Sequence, residues 1–301
     1  MPSSRVASLI QQVVGAMRPQ APGADPALQA RMAIVLRHML EAVEETKLTE
    51  AELAGLCAFF DTVAATKEWR FLTHVFGLDT LVTETTHGGE DRATVDNVEG
   101  PLFRAGSPEL DTPALMMRAD EPGERLFLSG QVVDARGGQP LPHAVLDVWQ
   151  SNAAGAYAED DPGQPEWNFR RRVRADAAGR YEIETVVPGC YEIGDLSGMA
   201  CGRLMQRLGR HGMRPGHVHV KLSAPGAQPM TTLLYFRGDP WIDDDSIFSV
   251  REDVTLTLTR HDGAGEMAAR GVTAPFHTGH FDFALEPAPT QAVRDGALQD
   301  A

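Results

Sequence analysis

The period of the apolar residues changes near Asn97, and that change divides the chain into two kinds of structure. Upstream, Leu28, Met32, Val35, Leu36, Met39 and Val43 recur at steps of three and four, the pattern of a helix with one apolar stripe. Thr49 and Glu52 have the spacing of a capping box, in which two side chains satisfy amides left open at a helix start. Behind them Leu53, Leu56, Cys57, Phe60 and Val63 share a face, so Cys57 is expected in the core. A further apolar stretch from Trp69 to Val82 is interrupted by Gly77. The first seventeen residues read as a short amphipathic helix, because glutamines break the apolar run that a secretory signal needs.

Downstream, short runs rich in Val, Leu, Tyr and Thr alternate with Gly, Pro and Asp turns. LFLSGQVVD, AVLDVWQ, GRYEIETVVP, HVHVKLSAP, TTLLYF and VTLTLTR are the clearest. The chain therefore reads as mainly β: an antiparallel β-sandwich over residues 98–287, a helical domain over 1–97 and a flexible, small-residue tail over 288–301. Long connections from Asn152 to Arg170 and from Glu192 to Pro215 are expected to be functional loops.

Charge and cysteine usage narrow the function. A formal net charge of -15 excludes the basic footprint of a nucleic-acid binder and disfavours an anionic membrane face. No apolar run reaches the roughly 18 residues that span a bilayer. Three cysteines, Cys57, Cys190 and Cys201, give an odd number without CxxC spacing, which fits a reducing, cytoplasmic setting.

The segment RPGHVHV carries the chemistry. On a strand, alternation sends His217 and His219 to one face and Val218 to the other, so both imidazoles can reach one metal. Alone, such a pair fits a polar sheet face equally well. Two of the four tyrosines, Tyr157 and Tyr191, fall at turns just after strands, whereas Tyr181 and Tyr235 sit inside strands as packing residues.

These strings, VWQSNAAGAYAEDD, FRRRVRADAAGRYEIETVVPGCYEIG and LGRHGMRPGHVHVKLSAPG, resemble the intradiol ring-cleavage dioxygenases, closest to the catechol and hydroxyquinol 1,2-dioxygenases. EGPLFRAGSP resembles the start of that family's sandwich, and the likeness spans roughly residues 28 to 260. The resemblance implies a non-haem Fe(III) held by Tyr157, Tyr191, His217 and His219. Hard phenolates favour Fe(III), whereas a two-histidine, one-carboxylate set favours Fe(II) and the extradiol reaction. It also implies Arg214 and Tyr191 as catalytic residues: the arginine for charge developing on the ring, the tyrosine for a diol proton. The substrates would be an aromatic diol and O2, and the product a cis,cis-muconate-type diacid, or a maleylacetate-type one from hydroxyquinol. The helical domain would form a homodimer seam that holds a lipid.

Val98, Pro101, Leu102, Leu233, Ser246 and Ile247 are the expected substrate-pocket residues. Three of them depart from the catechol enzymes. Leu233 stands where those enzymes usually carry Gln, fourteen residues after the second histidine, and Ser246–Ile247 replaces a Phe–Ala pair. These changes favour hydroxyquinol or a substituted catechol. A noncatalytic sandwich that binds a phenol or carbohydrate is the alternative, and a coloured iron complex would discriminate against it. His277, His280, His143, His211, Trp149 and Asn152 read as structural, and Asp243–Asp244–Asp245 as a solvated turn.

Overall fold

The computed structural model describes residues 4–17, 19, 21–87 and 93–288. The expected tail, 288–301, lies outside them except for its first residue. The chain parts into two compact units, Met1–Lys67 and Glu68–Ala301. The period change near 97 separates helical from strand-rich sequence, whereas the compact units part thirty residues earlier.

Among its described residues the first unit holds three helices: α1 (Ser4–Gly15), α2 (Pro26–Thr46) and α3 (Glu50–Ala65). Asp25 caps α2 through its carboxylate, which accepts from the Leu28 amide at 2.9 Å, and Pro26 begins the first turn without an orphan donor. The capping box forms: Thr49 Oγ1 accepts from the Glu52 amide, and Glu52 returns the bond to the Thr49 amide. Helix α2 buries none of its side chains, and its stripe of Leu28, Val35, Met39 and Val43 is exposed. Cys57 is exposed too, which corrects its expected core position; of α3 only Val63 is buried, so this apolar face lacks cover.

The second unit begins with α4 (Trp69–Val75) and α5 (Leu78–His87), which part at Gly77 with φ 69°. Then come β1 (Glu109–Asp111), β2 (Ala114–Leu115), β3 (Arg125–Asp134), β4 (Val145–Gln150), β5 (Arg170–Arg174), β6 (Arg180–Val186) and β7 (Tyr191–Glu192). After α6 (Ala200–Arg207) follow β8 (Met213–Arg214), β9 (His217–Ser223), β10 (Met230–Phe236), β11 (Thr255–Leu256) and β12 (Thr259–His261). Helix α7 (Ala264–Arg270), β13 (Phe276–His280) and β14 (Phe283–Leu285) complete it.

One sheet runs β1-β5-β4-β9-β10-β11 and another β12-β13-β3-β6-β2, with β14 beside β3. The sheets are mixed, which corrects the antiparallel expectation. The ladder β5-β4-β9-β10 is antiparallel, as are the β3–β6 and β12–β13 pairs, but β13 joins β3 in parallel and the edge strands β1, β11, β2 and β14 join their neighbours in parallel. Edge strands of two or three residues arrive from distant sequence, so local turns do not fix their direction.

Alternation along β4 and β9 sends Leu146, Val148, Val218, Val220 and Leu222 into one core, which also takes Leu126, Leu128 and Ile183 from the other sheet. The expected loop from Glu192 to Pro215 contains α6, whose start is closed by Glu68. That carboxylate accepts from the Ala200 and Cys201 amides at 3.0 and 2.8 Å, as a negative group does at a helix N-terminus. Met205 of α6 packs with Val75 of α4 and Leu196.

Candidate functional site

The face of β9 opposite the core carries both histidines. Cross-strand register sets Tyr235 beside His217, and Leu233 and Trp149 on either side of His219. Opposed residues of an antiparallel ladder share a face, so these side chains crowd together.

The tyrosines reach this face from loops that glycines allow to approach closely. Asn152 Oδ1 accepts from the Ala154 and Ala156 amides at 2.9 Å each, closing the turn that leads to Tyr157. Gly155, at φ +84°, lies against the next loop: a Cβ there would sit 2.3 Å from the Cys190 carbonyl and 3.1 Å from Tyr191 Cβ. A Cβ on Gly216 would likewise meet the Pro188 carbonyl at 2.2 Å. The segments bearing Tyr157, Tyr191 and His217 therefore meet backbone to backbone.

Four rings converge as a result. The His217 and His219 Nε2 atoms are 3.1 Å apart. Tyr157 and Tyr191 meet edge to face at 5.4 Å between centroids, Tyr191 lies 5.7 Å from His217, and Tyr157 6.5 Å from His219. Arg214 pairs with Tyr191 across the two-stranded β7–β8 ladder. Its Nη1 lies 3.4 Å from Tyr191 Oη and 3.3 Å from His217 Nε2. Arg214 is buried.

Burial, reinforced by the Arg214 charge, holds the His217 imidazole down to about 3, and burial with the neighbouring His217 holds His219 well below its usual value. Both rings are neutral near pH 7 and keep a nitrogen lone pair. His217 Nδ1 lies 2.8 Å from the Pro215 carbonyl; in the neutral ring that assigns its proton to Nδ1 and leaves Nε2 as the lone-pair donor. Burial, and then Tyr191 beside it, push the Tyr157 phenol well above its usual value. Its hydroxyl is buried and has no hydrogen-bond partner among the described residues. A buried phenol oxygen without a partner, next to two converging imidazole nitrogens, is an arrangement that a cation would satisfy. Phenolate and imidazole donors suit a hard, trivalent ion. Among the described residues no cluster of three or more His, Cys, Asp or Glu side chains could hold a metal, so the mixed tyrosine–histidine set is the candidate.

Of the expected pocket residues, Leu233, Ser246 and Ile247 are buried, as is Val98. Leu102 is half-buried and Pro101 exposed. A cavity of about 330 Å³ is lined by Val98 and Gly100 together with His74, Asp79 and Lys221. Gly100 on its wall also lies close to one of the histidines, since a Cβ there would sit 3.6 Å from His219 Cε1.

Two readings of the sequence change here. Asp245 is buried against Arg214, with Nε–Oδ1 at 3.1 Å, while Asp243 and Asp244 remain exposed; the run is a solvated turn only in part. Tyr235 is packed, as expected, but it also accepts from Arg214 Nη2 at 2.9 Å. No local pattern could have found either contact, because the partners are 31 and 21 residues apart.

Comparison with known proteins agrees along most of the chain. A family model described as "Dioxygenase" matches residues 98–287, and one described as "Catechol dioxygenase N terminus" matches residues 25–94. Catechol 1,2-dioxygenase of Acinetobacter baylyi is 32% identical, covering 87% of this chain and 86% of that protein. Hydroxyquinol 1,2-dioxygenase of a Rhizobium species is also 32% identical, covering 80% of this chain and 82% of its own. The solved hydroxyquinol 1,2-dioxygenase of Pseudomonas putida superposes with a TM-score of 0.84 at 29% identity, covering 95% of this chain and 99% of that one. No helix among the described residues is long and apolar enough to cross a membrane.

Proposed function

The chain belongs to the intradiol ring-cleavage dioxygenases, and from that premise we propose that it is an Fe(III) enzyme acting on hydroxyquinol or a substituted catechol. One observation carries the reading: two phenols and two imidazoles converge on one buried point beside the Nη1 edge of Arg214. Tyr157, Tyr191, His217 and His219 would hold the iron. Iron(III), when bound, holds the diol as a dianion and makes its ring electron-rich toward O2.

The chain's own residues do the rest. Tyr191 Oη is the group placed to take a diol proton, and Arg214 Nη1 lies 3.4 Å from it. The same guanidinium, permanently charged and buried, stabilises negative charge that develops on the ring. Burial of the two histidines excludes water from the reacting face. Cleavage between the hydroxyl-bearing carbons then gives a diacid.

Ser246 supports the choice of substrate. Its Oγ is buried and has no hydrogen-bond partner among the described residues, so a third polar group on the ring would find a donor or acceptor there. The two mixed sheets would form a sandwich around their shared core. The exposed stripe of α2 supports a homodimer seam in the first unit, which would hold a lipid, and the cysteine pattern supports a cytoplasmic protein.

The test is purification, iron loading and spectroscopy with a diol panel. A visible tyrosinate-to-iron band and accumulation of the ring-opened diacid are expected. A colourless iron complex that leaves every diol intact would exclude the proposal.

A further inference from the structure

Arg214 is gripped from one side. Its Nε donates to Asp245 Oδ1 at 3.1 Å, and its Nη2 faces Ser249 Oγ at 2.7 Å, Tyr235 Oη at 2.9 Å and Asp245 Oδ2 at 3.4 Å. These partners are tied to one another. Asp245 Oδ2 accepts from the Ser249 amide at 3.0 Å and from Ser249 Oγ at 2.8 Å, and Ser249 Oγ lies 2.7 Å from Tyr235 Oη. Asn97 Nδ2 donates to the Ser249 carbonyl at 2.7 Å and fixes the loop backbone. All three partners are buried, and so is Asn97.

The guanidinium is planar, so holding Nε and Nη2 leaves one direction for Nη1. That direction is toward Tyr191 Oη and His217 Nε2. We propose that Asp245 is a positioning residue for the ring-cleavage step: through Arg214 it aims the Nη1 edge at the reacting face, with Ser249 and Tyr235 completing the grip. The inference rests on the function proposed above. Asp245 also offsets the buried cation. Without it the whole charge of Arg214 would be free to swing onto the phenolates as a simple ion pair.

A double-mutant cycle on the iron-loaded enzyme tests whether Asp245 acts through the arginine. Asp245→Asn should lower kcat about tenfold or more while KM stays within about threefold, since the interaction would act on the transition state. In an Arg214→Ala background the same substitution should cost less than about twofold. Ser249→Ala and Tyr235→Phe should each lower kcat a few-fold, and they provide the answer should Asp245→Asn fail to fold. Equal losses in both backgrounds would overturn the proposal.

A second readout needs neither iron nor turnover. In the metal-free protein the Arg214 Nε–H should give a slowly exchanging NMR signal, assigned by its loss in Arg214→Lys. The signal should exchange faster in Asp245→Asn and persist in Ser249→Ala. Unchanged protection in Asp245→Asn would refute the grip itself. An iron-loaded wild type that cleaves no diol would instead refute the functional reading, with this arm still decisive for Asp245.

Discussion

The Trp149 indole stacks on the His219 imidazole, with 4.5 Å between centroids and 9° between planes. Cross-strand register produces the contact, since Trp149 of β4 sits opposite His219 of β9. The stack also replaces something. His217 is oriented by the contact of its Nδ1 with the Pro215 carbonyl at 2.8 Å, but His219 Nδ1 is buried without a hydrogen-bond partner among the described residues. Ligand histidines usually depend on such an outer contact for orientation. For His219 the contact is aromatic, with Leu233 closing its other side.

Trp149→Leu should therefore weaken iron retention about tenfold, the low end of what losing an orienting partner costs. Trp149→Phe keeps a ring on the imidazole and should stay within about threefold of wild type. Competition for iron against a calibrated chelator measures both. Equal retention in all three proteins would remove the stack from His219's support.

Tyr157 makes a prediction about protons. Its folded value lies well above the ordinary phenol range because of burial, so the phenol is neutral near pH 7 and must lose its proton to bind iron. His217, held at about 3, carries no ionising proton at that pH and releases none. Lower pH should therefore weaken iron binding through competition at the phenol rather than at this imidazole. Iron transfer from one fixed chelate at pH 7 should release one proton fewer in Tyr157→Phe than in wild type, measured by calorimetry in buffers of different ionisation enthalpy. The variant should also lose intensity in the visible band. Identical proton release and an unchanged spectrum would exclude Tyr157 as a ligand.

Helix α2 leads to an assembly prediction. Met39 is 59% exposed and Val35 47%, within an apolar stripe that continues through Leu28 and Val43. An uncovered stripe of this kind marks an interaction surface. Light scattering at micromolar concentration should give twice the chain mass. Met39→Glu puts a charge in the stripe and should shift the population to single chains. A wild-type monomer would contradict the seam.

The parts of this fold legible in the sequence were those set by neighbours in sequence. The Thr49–Glu52 box, the break at Gly77 and the strands β3, β4, β6, β9 and β10 all follow from spacing within a few residues. Strand β5 was hidden because its sequence is RRRVR. Its charges are answered from afar: Arg170 by Glu159, and Arg172 and Arg174 by Glu109. The VTLTLTR run was legible as extended chain, yet it divides between β11 and β12, which join different sheets. In the site, the histidines announced themselves by alternation, and the tyrosines by position and family likeness. Asp245, Ser249 and Tyr235 gave no such signal, because each meets Arg214 only through the folded chain.

Ser246 supplies the prediction about substrate. Its Oγ is buried without a partner, and its backbone is fixed on both sides, the amide donating to the Met213 carbonyl at 3.1 Å and the carbonyl accepting from Arg210 Nη2 at 2.7 Å. The hydroxyl can rotate about its own bond, but its position cannot adapt to a distant ligand. A substituent that reaches it gains a hydrogen bond; plain catechol leaves the group unpaired. A net hydrogen bond is worth about 0.5–1.5 kcal/mol, so kcat/KM should favour hydroxyquinol over catechol by up to about tenfold from this contact. Ile247 and Leu233, the other two proposed wall residues, are buried and apolar, so Ser246 would be the polar point among the three. Ser246→Ala removes the partner without creating a large cavity, so it should lower kcat/KM for hydroxyquinol while leaving catechol nearly unchanged. Steady-state kinetics on both diols for both proteins decides the matter. A wild type that turns over catechol as well as or better than hydroxyquinol, or a preference that survives Ser246→Ala intact, would assign the selectivity elsewhere.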